Sequence, residues 1–531
     1  MTPRRWRVIG GTIVFSLIAF VAFTLPDHPD ALGLSSFLRL PLEWPIGAIV
    51  LFLTTGRFRR LLAVVAALVV FIILFLKAAD IGTQAAFQRP FNPYLDIKMI
   101  GDGWNLMSGT FGPPIAVLAA SGAVAVLILL AALFVRSMQW MTMARATSRV
   151  LLLVIFTSLA ALGTLLYALG RPGIELNSAG YLSQRLALVA RSIDDMRRFE
   201  TELGKAKGPR SGQGLFQAVA GKDIVLIFVE SYGRSAIEDP RYAGVSGPRL
   251  QSVEEELNAA GLLSASAWVT SPTVGGLSWL AHGTLLSGLW IDSQARYDRL
   301  MRSGQPSLNR LFAEAGWKTA AVMPAITMDW PDAAYYGYNQ ILPAAGLGYR
   351  GKPFNWVTMP DQYTLSAFER LVRGPDRESG KPVMAEIALI SSHAPWTPVA
   401  RLIDWDDVGD GSVFDEQAVS GDPPSVVWSD PERVRRQYIA TIDYSLQTLG
   451  SYMARFGKDT VFVVLGDHQP AAIVTGPNAS RAVPLHVVSG DAALIAQFEA
   501  FGFSSGMMPA SVAREWGMDE MRQVLIDRFS H

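Results

Sequence analysis

Five stretches within the first 170 residues are almost free of charge: Val8–Leu25, Leu42–Thr55, Leu61–Leu76, Ile115–Val135 and Val150–Leu169. Most approach the ~20 residues that a helix needs to cross a bilayer, where every backbone polar group must be satisfied within the segment. The second is the weakest, with Glu43 and Pro45 at its start, yet omitting it places the flanking basic clusters on opposite sides of a membrane. No small-residue cleavage pattern follows Phe23-Thr24-Leu25-Pro26, and further spans come after, so the first stretch is read as a retained span. Residues 1–170 are therefore expected to form a bundle of about five transmembrane helices.

Short basic loops give this bundle a direction. Arg4, Arg5 and Arg7 precede the first span, Arg57, Arg59 and Arg60 lie between the second and third, and Arg136, Arg145 and Arg149 lie between the fourth and fifth. By the positive-inside rule all three clusters are cytoplasmic, and an odd number of spans then delivers everything after Gly170 to the outer face. The expected location is a bacterial inner membrane, with a multi-pass anchor and the large domain on the periplasmic or extracellular side. The spans as drawn lack the buried charges that mark transport pathways, which argues against a transporter. Residues 171–215 form a linker in which Tyr181–Lys207 reads as helical, with Leu186, Val189, Ile193 and Met196 beside Arg185, Arg191, Arg197 and Arg198. An interfacial helix and a solvated linker helix both fit that pattern.

Lys and Arg number 46 and so do Asp and Glu, so there is no global basic field and nucleic acid is not an expected partner. Cysteine is absent, so disulfides, thiolate metal ligands and a cysteine nucleophile are excluded, and any catalytic metal must use oxygen and imidazole. Over residues 216–531 the pattern changes to short apolar runs alternating with helical stretches. Asp223–Val229, Thr319–Met323, Val383–Ile390, Thr460–Leu465 and Val483–Val488 read as buried strands of an α/β domain with a largely parallel sheet. The acidic, Gly- and Pro-containing stretch Asp404–Asp430 reads as an inserted surface loop.

Catalytic groups in such folds sit at the C-terminal ends of strands. Here the strands run into Glu230, into His393 within Ser391-Ser392-His393-Ala394-Pro395, and into Asp467-His468. Singly, each fits a cap, a surface residue or a hydrogen-bonded structural histidine. Together they offer one sheet edge the nitrogen and oxygen ligands of one divalent cation, best manganese or zinc. The chain has six histidines, and His282, His393, His468 and His486 all fall near these elements.

Glu230, the segment Ser278–Gly288, His393 and Asp467-His468 resemble the membrane sulfatase-like family of the alkaline phosphatase superfamily, which includes lipoteichoic acid synthase and the lipid A phosphoethanolamine transferases. The resemblance implies an α/β sulfatase-like domain outside the membrane, with Glu230, Ser278, Asp467 and His468 as metal ligands and Ser278 as nucleophile. Sulfatases place Pro two residues after the nucleophile, Arg four after, and Thr-Gly nine and ten after. Ser278, His282 and Ser287-Gly288 keep that register, with Thr273 in reserve. A helix N-terminus there favours a transferring phosphate, although Ser is also among the best helix N-caps.

Leu280 stands where sulfatases carry Pro and His282 where they carry Arg, so the signal for oxidising the nucleophile to formylglycine is missing. An unmodified serine suits transfer through a phosphoseryl enzyme, with His393 as general acid or phosphoryl stabiliser. His282 fits two roles, a replacement for the Arg charge or a packed structural residue. His393-Ala394-Pro395-Trp396 resembles the phosphoglycerol-transferring branch, with Trp396 and Trp330 as expected headgroup contacts. The implied reaction moves a phospholipid headgroup, phosphoglycerol ahead of phosphoethanolamine, to an envelope glycan or glycolipid. A tethered phosphatase, phosphodiesterase or sulfatase uses the same residues with water as acceptor.

Overall fold

The computed structural model describes residues 3–87, 89–97, 101, 103–104, 107–108, 112–171, 173–206, 208–375 and 380–531. The chain divides into two compact units, one of residues 1–85 and 89–195, the other of residues 86–88 and 196–531.

Among the described residues of the first unit, four helices are long and apolar enough to cross a membrane: α1 (Pro3–Thr24), α3 (Gly56–Phe87), α4 (Pro113–Met141) and α5 (Ala146–Ala168). The expected second span is the 11-residue helix α2 (Glu43–Leu53). At 1.5 Å per residue it rises only about 16 Å, less than the ~30 Å hydrocarbon core. It nonetheless joins the two ends of the bundle. Glu43 accepts the backbone N–H of Ser178 at 2.9 Å beyond the end of α5, and the Phe52 carbonyl accepts Arg149 at the start of α5. Arg4 donates to the Met143 carbonyl at 2.8 and 3.0 Å and Arg59 to Thr54 at 2.8 Å, so the three arginine clusters meet at one end.

The expectation of uncharged spans needs correction. Helix α3 continues beyond Leu76 and carries Lys77 and Asp80, both buried. Lys77 donates to the Phe23 carbonyl at 2.8 Å, where α1 leaves its last acceptors open. Asp80 accepts from the Phe91 N–H, the Tyr181 hydroxyl and Arg185, each within 2.6–2.9 Å. Tyr181 and Arg185 belong to α6 (Ser178–Gly204), which covers most of the expected linker helix.

Among its described residues, the second unit is built on a nine-stranded sheet. Its strands are β1 (Asp223–Val229), β2 (Leu263–Thr270), β3 (Lys318–Met323), β4 (Gln340–Pro343), β5 (Val383–Leu389), β6 (Thr460–Gly466), β7 (Ala482–Ser489), β8 (Ser504–Ser505) and β9 (Glu515–Gly517). The order is β8-β2-β7-β6-β1-β5-β3-β4, with β9 beside β2. β6, β1, β5, β3 and β4 are parallel neighbours, and β7 runs against both β6 and β2. All five expected strands form. β2 was not expected, because Leu263-Ser264-Ala265-Ser266-Ala267 is small and polar rather than a continuous apolar run.

Alternation along β1 builds two cores. Val225, Ile227 and Val229 face one side, under α7 (Ala243–Ala259) and α10 (Pro431–Phe456), while Ile224, Leu226 and Phe228 face α8 (Ser278–Ser287), α9 (Leu308–Glu314) and α11 (Met518–Ser530). Burial on both faces explains why these strands read as unbroken apolar runs. The acidic segment 404–430 is more than a surface loop. It folds into short helical turns anchored by buried Val408, Phe414 and Val427.

Candidate active site

The site forms where β1 and β6 end side by side. Val229 pairs with Gly466, which brings Glu230 and Asp467-His468 together. The approach is close: a Cβ on Gly466 would stand 1.8 Å from the Tyr232 carbonyl oxygen. Glu230, Asp467 and His468 are all buried, and one ligand atom from each lies within 4.8 Å of the others.

Supporting hydrogen bonds aim these groups inward. Asp467 Oδ1 accepts the N–H groups of Ser231 at 2.9 Å and His468 at 2.6 Å. His468 Nδ1 is held at 2.9 Å by the Gln469 carbonyl, which turns its Nε2 toward Glu230 Oε1, 3.3 Å away. Burial works against the charge on each group, and the outcome differs by neighbour. His468 is raised to about 9 because the Asp467 and Glu230 carboxylates outweigh its burial. Burial and the nearby Glu230 charge raise Asp467, whereas the positive charges of His468 and His393 overcome burial at Glu230 and hold it low. Two carboxylates and an imidazole stabilised by protons in this way fit a divalent cation with nitrogen and oxygen ligands.

Ser278 enters from α8. Gly275, Gly276 and Leu277 have φ of +72°, +142° and +63°, a run of left-handed backbone that turns the chain sharply into the helix. Leu277 takes the N-cap position and Ser278 is the first helical residue, so its hydroxyl is not used as a cap. Instead Ser278 Oγ lies 3.2 Å from Glu230 Oε2 and 3.2 Å from His468 Nε2. The reserve candidate, Thr273, donates its hydroxyl to the Gly276 carbonyl at 2.7 Å and so braces the turn.

A cavity of about 370 Å³ opens beside them, lined by Glu230, Ser278 and Asp467 together with His282, His393 and Trp330. His393 Nδ1 meets the Ala394 carbonyl at 2.5 Å, and its ring stacks on Trp356 with 4.0 Å between centroids. Trp396 is placed elsewhere. It is buried in the core, donates to the Ser392 carbonyl at 2.7 Å and stacks on Trp428, while Trp356 takes the wall beside His393. The sequence reading also passed over Glu386, which meets His282 at 2.6 Å. Its signal was a lone carboxylate inside the apolar run Val383–Ile390. His486 lies apart from the cavity, buried on β7 between Ser266 Oγ at 2.7 Å and the Tyr232 hydroxyl at 3.2 Å.

The sulfatase family model matches residues 222–485. No curated protein matches the chain. Among solved structures, the lipooligosaccharide phosphoethanolamine transferase A of Neisseria meningitidis aligns at 12% identity over 99% of this chain and 95% of its own, with a TM-score of 0.46. The lipoteichoic acid synthase LtaP of Listeria monocytogenes aligns at 14% identity over 59% and 72%, with a TM-score of 0.38. The phosphoglycerol transferase GacH of Streptococcus pyogenes aligns at 10% identity over 64% and 81%, also with a TM-score of 0.38. Residues 222–485, which carry Glu230, Ser278, Asp467 and His468, form a domain of the sulfatase family, and the chain is an enzyme.

Proposed function

We propose that the protein transfers a phospholipid headgroup to an envelope glycan or glycolipid through a phosphoseryl intermediate on Ser278. The observation that carries this reading is the Ser278 hydroxyl, free of capping and 3.2 Å from both Glu230 Oε2 and His468 Nε2. Glu230, Asp467, His468 and Ser278 would hold one divalent cation, manganese or zinc. Such an ion supplies Lewis-acid stabilisation of phosphoryl charge and favours the ionised serine.

Ser278 Oγ attacks phosphorus, the P–O bond to diacylglycerol breaks, and the leaving oxygen takes a proton from His393. The acceptor hydroxyl then attacks the phosphoserine and returns a proton to His393, which restores Ser278. Splitting the reaction in this way lets the apolar product leave into the bilayer before a polar acceptor arrives. The four long apolar helices support a lipid donor, since an anchor confines the enzyme to the surface where that donor lies. The arginine clusters support a cytoplasmic inner end, with the catalytic domain outside an inner membrane.

The cavity walls favour phosphoglycerol over phosphoethanolamine. Among the described residues lining it, the carboxylates are Glu230, Asp467 and Glu386; the first two belong to the metal set and the third is paired with His282. That leaves no lining carboxylate for an ammonium group.

The test supplies phosphatidylglycerol or phosphatidylethanolamine, labelled in the headgroup, in micelles with manganese or zinc. Metal-dependent diacylglycerol release with label on Ser278 is the expected result. Cleavage of soluble phosphate or sulfate esters alone would replace transfer by tethered hydrolysis.

A further inference from the structure

One helical turn beyond Ser278, His282 meets a carboxylate that the scheme above does not use. Its Nδ1 lies 2.6 Å from Glu386 Oε1, and its ring stacks on Phe228 with 3.8 Å between centroids and 17° between planes. Glu386 sits in the middle of β5, in register with Leu226 of β1 and Ala321 of β3, and is 1% exposed. Its second oxygen accepts Asn309 Nδ2 at 3.2 Å and the Tyr338 hydroxyl. A carboxylate at that depth is costly unless its oxygens are paired, and here three side chains, two from helices and Tyr338 from the loop before β4, pair them.

A packed structural pair would explain the burial but not the placement. His282 and Glu386 both line the cavity that holds Ser278, Glu230, His393 and Asp467. Among the described residues of that lining there is no Lys or Arg. Phosphoryl transfer spreads negative charge over the non-bridging oxygens, and fixed cationic donors are what stabilise it. His282 is the group on α8 able to supply one, provided its ring is held with one nitrogen committed and the other free.

We propose that Glu386 is a positioning residue. It takes the Nδ1–H of His282 and turns Nε2–H toward the cavity, where the imidazolium donates to a non-bridging phosphoryl oxygen at Ser278. Asn309 and Tyr338 fix the carboxylate against rotation, and its negative charge balances the imidazolium in a cavity whose described lining has no Lys or Arg. No proton leaves His282 in this role, and bond making and breaking remain at phosphorus. The inference rests on the phosphoryl-transfer reading but not on the identity of headgroup or acceptor.

The experiment uses the full-length protein in detergent with manganese or zinc, and reads the affinity for inorganic phosphate by calorimetry beside turnover of headgroup-labelled phosphatidylglycerol. His282→Ala and Glu386→Gln are each expected to weaken phosphate binding about tenfold or more, the worth of one charge-assisted hydrogen bond. The double variant should bind no more weakly than His282→Ala alone, because Glu386 acts through His282. Tyr338→Phe, which keeps the ring packing, should shift affinity in the same direction by less, and stands in if Glu386→Gln does not fold. Additive losses, or wild-type phosphate affinity in the His282 variant, would overturn the proposal. Phosphate binding that depends on His282 without turnover of phosphatidylglycerol would instead count against headgroup transfer and leave this role standing.

Discussion

The Ser278 hydroxyl lies 3.2 Å from Nε2 of His468, although 190 residues separate them in the chain. α8 alone cannot place it there. The left-handed run Gly275-Gly276-Leu277 sets where the helix starts, and the pairing of Val229 with Gly466 sets where the imidazole stands. Ser278→Ala should therefore abolish turnover, by at least about a thousandfold, because the attacking oxygen is removed. Most of the bound metal should remain. Thr273→Ala should be much milder, since its hydroxyl is committed to the Gly276 carbonyl. Near-normal activity in Ser278→Ala with loss in Thr273→Ala would move the nucleophile to Thr273.

Loss of Asp467 or His468 should strip the metal, since it removes one ligand from a small set. Uptake should also depend on pH with a definite sign. In the metal-free protein the His468 imidazole is raised to about 9 by the Asp467 and Glu230 carboxylates, so a proton occupies the nitrogen that the metal needs. Affinity should rise as pH climbs toward about 9, with proton release on binding. Calorimetry in buffers of different ionisation enthalpy measures both, and pH-independent uptake would contradict this ligand assignment.

Gly466→Ala should damage the site without touching a ligand. A Cβ there would stand 1.8 Å from the Tyr232 carbonyl and 3.1 Å from Val483 Cβ, both on packed backbone or strand. β6 would have to move away from the loop after β1, carrying Asp467 with it. Metal affinity should fall by at least about tenfold while the fold survives, with an overpacking cost of about 1–3 kcal/mol. Metal content and thermal unfolding of the same preparation distinguish this from general misfolding.

What the sequence made legible follows from how each residue announces itself. β1, β5 and β6 are buried on both faces, so their apolar runs and the polar residues that end them stand out, and Glu230, Asp467 and His468 were found that way. Ser278 came from spacing and resemblance. Glu386 was passed over because a run such as Val383–Ile390 reads as a strand by its apolar majority, and nothing local reveals that His282 stands opposite. Trp356 reaches the cavity from a loop with no periodic signal, whereas Trp396 lay in a suggestive motif and is spent on the core. Lys77 and Asp80 escaped because the apolar window ended at Leu76 while the helix did not.

His486 gives the catalytic unit a dependence on acid that is separate from catalysis. Burial lowers its imidazole to about 3, between Ser266 and the Tyr232 hydroxyl. The unfolded chain takes up a proton near pH 6.5 and the folded one does not. The associated stability is therefore complete above that pH and is lost progressively as pH falls toward about 3. The full loss is on the order of 5 kcal/mol. His486→Gln should lower stability at neutral pH yet flatten its decline on acidification relative to the wild type. An unchanged slope in chemical unfolding curves would show that His486 does not set it.

Orientation turns on the shortest helix. With only α1, α3, α4 and α5 crossing, the start and end of the bundle would lie on the same side, and the three arginine clusters would be split across the membrane. Helix α2 changes that parity. It has 11 residues, but one end is tied to Ser178 through Glu43 and the other to Arg149 through the Phe52 carbonyl, so the chain passes from one end of the bundle to the other within it. Arg4, Arg59 and Arg149 then share one end, as the positive-inside rule requires of a cytoplasmic face. A reporter fused after Gly170 should be active only if it functions outside the cytoplasm, and one inserted at Thr142 only if it functions inside. Activity of a cytoplasmic reporter at Gly170 would reverse the orientation and place the catalytic domain away from any envelope acceptor.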